Sequence, residues 1–242
     1  MEVDIKLMLN VVGDVDDKQL YKLFKFSTQF LDKIVGESEN WYIGGNNLRE
    51  SLSHSVFDGD ALSEKQLRTL KKTWFCNGWN GREQDNSASV LLGWQLSKSK
   101  QSFIVKLHAE TSCIVKYSEV LEFINSALNK YRVISIQTST DNYSLEQRYV
   151  FPDRVIAGWM VYIDDKIDRN IIPMAESVID VSNSYNEGTL IISKKEHFSG
   201  ADPDDIKRAN EIEIQLATHG KLPLLRDILR KPWTNPVPED KS

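Results

Sequence analysis

The sequence predicts an α+β domain, a mainly antiparallel sheet covered by helices, and three observations carry that reading. Residues 3 to 11 alternate Val3, Ile5, Leu7, Leu9 and Val11 against Asp4, Lys6, Met8 and Asn10, the period of two that a strand with one buried face requires. Two apolar runs, 88 to 96 and 102 to 110, flank the polar connection Ser97 to Gln101, which is suited to a hairpin. Between these strands, residues 16 to 36 change to helical spacing, with Leu20, Leu23, Phe24, Phe30, Leu31 and Ile34 bounded by an Asp cap and Gly36.

Taken in order, residues 3 to 11 form the opening strand and the helix after Asp16 covers it. Trp41 to Asn47 is turn chemistry behind an aromatic anchor, and Asn47 caps a short helix carrying Leu48, Leu52 and Val56. Ser63-Glu64-Lys65-Gln66 reads as a capping box, opening a helix with Leu67, Leu70 and Trp74 on one side. Residues 77 to 86 hold two glycine turns and no apolar period, so they read as an exposed loop. After the hairpin, Ser118 caps a helix through Leu121, Ile124 and Leu128, and residues 132 to 138 form the next strand. With the segment between the first helix and the hairpin set aside, this is the split β-α-β order of ferredoxin-like folds with an inserted helical segment.

The second half reads as a strand at 155 to 163, a mixed stretch from Ile171 to Val181, a strand at 189 to 193 and a helix at 203 to 217. That helix has Asp202 as cap, Pro203 at its first position and Asp204 and Asp205 at the positive dipole end. Its inward face is Ile206, Ala209, Ile212 and Leu216, and Gly220 stops it. Pro232, Pro236 and Pro238 leave 231 to 242 as a tail. The 242 residues are thus read as a single domain, with 1–140 and 141–230 as sub-parts of one core.

Composition excludes several function classes. Hydrophobic residues at 40% and charged residues at 27% are those of a globular chain rather than a disordered or fibrous one. A net charge of −5 gives no basic field for nucleic acid or anionic membrane. No apolar run approaches the ~20 residues of a membrane span, and the acidic start Met1-Glu2-Val3-Asp4 does not read as a secretory signal. Cys76 and Cys113 are far apart, without metal spacing, and are expected as unlinked thiols in a reducing cytoplasm.

No nucleotide-binding, serine-hydrolase or zinc-protease motif is present, and His54, His108, His197 and His219 have no ligand spacing. A Cys113/His108 dyad is outweighed by the buried-strand look of Ser112 to Val115. Neither catalytic residues nor a cofactor is therefore expected. Asp164, Asp165 and Asp168 form the densest acidic point, just past a strand end, where hard cations find oxygen ligands; they carry the alternative reading of a small metal-dependent hydrolase or nuclease. Of six tryptophans, core packing accounts for Trp94, Trp159 and Trp74. Trp79 sits between turn glycines beside Arg82, Glu83 and Asp85, the composition of a protein-binding anchor ringed by polar residues.

Three segments of the last third resemble the C-terminal signature of the immunity protein 52 family: Gly188 to Ser193, then Asp202 to Leu216, then Gly220-Lys221-Leu222-Pro223. Trp41, Gly44-Gly45, Leu48 and Ser51 are similar to that family's N-terminal block. The resemblance implies a bacterial immunity protein encoded beside a polymorphic toxin, commonly a restriction-endonuclease-like nuclease delivered by type VI or related secretion. The chain would then be no enzyme; it would bind its cognate toxin in the cytoplasm, with neither nucleic acid nor membrane as partner and self-association reaching at most a homodimer. Trp79, Arg82, Glu83 and Asp85 are the expected toxin-binding residues, with Asp164, Asp165 and Asp168 as a second point. Residues 141 to 180 hold eight acids against four bases, most of the net negative charge, and such carboxylates can mimic phosphate before a basic nuclease cleft.

Overall fold

A computed structural model describes residues 1–11, 16–45, 47–97 and 100–228. The chain runs β1 (Glu2–Val11), α1 (Asp17–Val35), α2 (Leu48–Leu52), β2 (Phe57–Asp58), β3 (Ala61–Leu62), α3 (Glu64–Thr73), β4 (Phe75–Trp79), β5 (Ala88–Ser97), β6 (Lys100–Glu110), α4 (Tyr117–Lys130) and β7 (Val133–Thr140). It continues through β8 (Met160–Ile163), a single 3₁₀ turn at Arg169–Ile171, β9 (Ser177–Ser182), β10 (Glu187–Ile192), α5 (Pro203–Thr218) and α6 (Leu225–Ile228). The fold is α+β. Eight strands form one antiparallel sheet in the order β4-β5-β6-β1-β7-β8-β10-β9.

Within it, β5-β6-β1-β7 has the strand order and directions of the split β-α-β arrangement, with α2, β2, β3, α3 and β4 inserted after α1. Both crossover helices lie on one face. Val3, Ile5, Leu7 and Leu9 of β1 share a core with Leu20, Phe24 and Leu31 of α1 and with Val120, Ile124 and Leu128 of α4. The two helices touch through Phe30 stacked on Phe123 at 4.2 Å between ring centroids. On the other face, Met8, Ile134, Val161, Ile163 and Ile191 pack with Ile212 and Leu216 of α5. Asp202 caps α5 as the sequence predicts, accepting from the amides of Asp204 and Asp205.

Several expectations are corrected. The strand expected at 155 to 163 is only Met160–Ile163, because Gly158 turns the chain with φ +52 and presses against β7, where a Cβ would lie 2.3 Å from the Thr138 carbonyl. Residues 75 to 79 are edge strand β4, so the loop begins at Asn80, itself buried, and is exposed only from Glu83 to Asp85. The Ser63 to Gln66 capping box is absent: the Ser63 hydroxyl donates to Ser55 O, and the buried Gln66 amide donates to Asn77 O. Trp74 is neither on the α3 core face nor in the core; it ends that helix in the left-handed region and is 49% exposed. The cap of α4 is Lys116, with its amide held by the Glu119 carboxylate, and not Ser118. Cys113 is exposed in the bend after β6, not in a buried strand; both thiols are free. The mixed stretch before Val181 contains β9, and the 231 to 242 tail lies outside the described residues. No described helix is long and apolar enough to cross a membrane.

Candidate functional site: the uncovered face of the sheet

The sheet has two unequal halves. Every residue of β7 and β8 is buried, because helices α1 and α4 cover one side and α5 with its loops the other. Across β4 and β5, and along the Lys106–Glu110 part of β6 and the Glu2–Lys6 part of β1, the face opposite α1 has no helix over it among the described residues; beyond Lys6 it runs into the α5 core at Met8. The side chains it presents, among them Asp4, Lys6, Ser89, Leu91, Lys106 and His108, are half-buried or exposed.

Register makes a charge ladder of this face. Strands β1 and β6 pair Glu2 with Glu110, Asp4 with His108, Lys6 with Lys106 and Met8 with Ile104, all pointing to the same side. Successive rungs are acidic, mixed, basic and apolar. Two of them set like charges directly opposite one another, an arrangement that costs stability in a sheet. Lys106 and burial together hold the Lys6 ammonium below its ordinary range, with burial the larger cause. One rung up, His108 Nδ1 lies 2.9 Å from Asp4 Oδ1. That hydrogen bond, followed by the charges of Asp4, Glu2 and Glu110, raises the His108 pKa against the opposing effect of burial.

The 80–87 loop sits at the acidic end of the ladder, where the Glu110 amide donates to Ser87 O at 2.9 Å. Glu83 and Asp85 are exposed there and extend the acidic rim. The Arg82 guanidinium donates to Val35 O and Glu37 O at 2.7 Å each, clamping the loop to the end of α1. Trp79 belongs to β4 and folds back. Its indole N–H donates to Arg82 O at 2.8 Å, and Tyr42 lies beside it at 6.5 Å between ring centroids.

The second acidic point is elsewhere. Asp164 follows Ile163, which pairs with Ser135 at the opposite end of the sheet from Thr140 and Glu2. The structure therefore does not bring Asp164, Asp165 and Asp168 together with the Trp79 loop. Asp165 pairs with Lys221 at 2.9 Å, Asp168 caps the 3₁₀ turn through the Asn170 amide, and Asp164 faces Arg132. Asp164 and Asp165 line an open cleft of about 420 Å³ with Lys221 and Asp227. Among the described residues, no three His, Cys, Asp or Glu side chains converge as a metal site.

Sequence reasoning missed two features. Glu213, on the inward face of α5, is fully buried; it accepts from the amides of Ala157 and Val150 at 2.9 Å each and from the Tyr143 hydroxyl at 3.3 Å. Burial pushes its pKa up, and those hydrogen bonds oppose the rise. It orders the connection between β7 and β8. The helical spacing that identified Ala209, Ile212 and Leu216 was a signal for position 213 as well, but a carboxylate there reads as solvated until its donors are seen. The other feature is the ladder, whose like-charged rungs lie about 100 residues apart in sequence. No family model matches the chain, and no curated protein matches it either.

Proposed function

We propose that the chain is an immunity protein that binds and neutralises a cognate secreted toxin of the restriction-endonuclease-like nuclease type, in the cytoplasm of the producing cell, by covering the toxin's active site with the uncovered face of its sheet. The observation that carries this reading is the pair of like-charged rungs, Glu2/Glu110 and Lys6/Lys106. Like charges set directly opposite one another cost a free sheet stability, and departures from stabilising placement concentrate where a surface serves a partner. The acidic rim of Glu2, Glu110, Glu83 and Asp85 suits the basic cleft a nuclease needs for phosphate, and such complementarity raises association rates. The type of toxin rests on the immunity protein 52 resemblance. Arg82 and Trp79 support the acidic loop from behind, a positioning role in place of the direct contact expected of them.

Co-expression with the toxin domain encoded beside this gene tests the reading. Cells carrying the wild-type chain should grow, and cells carrying a Glu110→Lys, Lys106→Glu double variant should be killed although the variant accumulates and folds. Equal protection by both proteins would overturn the choice of surface; toxicity unaffected by the wild-type chain would overturn the function.

A further inference from the structure

Beside the ladder, between β1, β7 and the 141–156 connection, lies a cleft of about 130 Å³ lined by Asp4, Lys6, Gln137, Ser139, Tyr149 and Arg154, among others. Six of its lining residues, Lys6, Gln137, Ser139, Ser144, Tyr149 and Arg154, carry side-chain donors. Among the described residues, neither Lys6 nor Arg154 has a carboxylate within ion-pairing distance, and both are half-buried. Arg154 spends one guanidinium nitrogen on Leu222 O at 2.6 Å. Gln137 is only 5% exposed; its Oε1 accepts from the Ile156 amide at 3.1 Å, which fixes the orientation of the amide group, and its Nε2 has no acceptor. Ser139, Ser144 and Tyr149 add hydroxyls. The single carboxylate in the lining, Asp4, is already engaged by His108.

Two half-buried cations without counter-charges and a buried amide N–H without an acceptor are each costly, and one group settles all three: an oxyanion. We infer that this cleft is a binding site for one small oxyanion, a carboxylate or phosphate group. Arg154 supplies a planar fork for two of its oxygens, Lys6 a point charge from the sheet, and the Gln137 amide a neutral donor at the floor. The cleft volume fits an acetate- or phosphate-sized group. The site is a property of the free chain and does not depend on the toxin reading.

The test is a titration of the ¹⁵N-labelled full chain with sodium acetate, sodium phosphate and sodium chloride at constant ionic strength and pH 7, following the Gln137 side-chain amide and the Ile156 and Ser139 backbone amides. We expect saturable shifts at these positions with acetate or with phosphate, at least tenfold tighter than with chloride, and weakened at least tenfold in Lys6→Met. The preferred anion tells a carboxylate site from a phosphate site. Tyr149→Phe, which leaves β1 intact, provides a second variant and should weaken binding severalfold. No saturable shift, equal response to chloride, or equal affinity in folded Lys6→Met and Tyr149→Phe would overturn the site. Any of these would leave the toxin reading standing, since that reading is judged by co-expression.

Discussion

The β7-β8-β10 half of the sheet and the β4-β5-β6-β1 half are parts of one continuous ladder, yet they obey different rules. In the first, both faces are covered: β8 is buried from Met160 to Ile163, and β10 is buried from Gly188 to Ile192. In the second, the side under α1 and α4 is dry, and from Glu2 to Lys6 of β1 and Lys106 to Glu110 of β6 apolar residues alternate with charged residues or histidine. β8 and β10, covered twice, read as near-continuous apolar runs, whereas β1 alternates; β7 is buried throughout and still holds Ser135, Gln137, Thr138, Ser139 and Thr140. The difference teaches that periodicity records coverage, so the location of a bare face is written in the sequence even where its partner is not.

The largest effect expected from this contrast is in the covered half. Trp159 is fully buried, its indole N–H donating to Lys194 O at 3.0 Å. Trp159→Ala should cost about 3–5 kcal/mol by urea unfolding, and a loss under 1 kcal/mol would mean that this half is not the tight core described. Glu213→Leu comes next. Although leucine is the more apolar residue, it strands the Ala157 and Val150 amides, each costing about 1–3 kcal/mol when left buried and unmade. A stabilised Glu213→Leu protein would show that those donors find water instead.

Smaller effects belong to the uncovered half. Arg82→Ala removes two charge-assisted hydrogen bonds to the end of α1 and should cost about 1.5 kcal/mol while loosening the loop that carries Glu83 and Asp85. Amide exchange in residues 80–87 should rise with it. His108 gives a pH signature. Its folded pKa lies above the ordinary 6.5, so the contribution of the His108–Asp4 pair is fully present below that value and is lost as pH rises through the folded pKa. An NMR titration of the imidazole should show the raised value in the wild type and a fall toward 6.5 in Asp4→Asn; no difference between the two would detach the histidine from the ladder.

Much of the architecture was legible from residue spacing. The alternation in β1, the hairpin of β5 and β6, and the Asp202-Pro203 start of α5 each follow from local chemistry, and the split β-α-β order follows from their sequence. What escaped the reading depended on contacts distant in sequence. β4 contains Asn77 and Gly78, turn residues on their own account, and becomes a strand only because β5 offers an edge and Gly78 lets the Phe24 ring approach. Gln66 has the spacing of a cap but is drawn inward by Asn77 O. The acidic points were identifiable by composition, whereas their placement at opposite ends of the sheet is a matter of register. Trp79 was visible as an unusual tryptophan, and only the structure shows its indole N–H spent on its own loop.

The central claim is that the uncovered face, and in particular its like-charged rungs, is kept for a partner at the expense of the free protein. Lys106→Glu separates the two terms, since it converts the Lys6/Lys106 clash into an opposite pair in the same register. That change should stabilise the free chain by about 0.2–1 kcal/mol. The decisive measurement is the calorimetric affinity of this variant for the proposed cognate toxin. The account predicts binding weakened at least tenfold by a protein no less stable than the wild type; affinity equal to that of the wild type would contradict it.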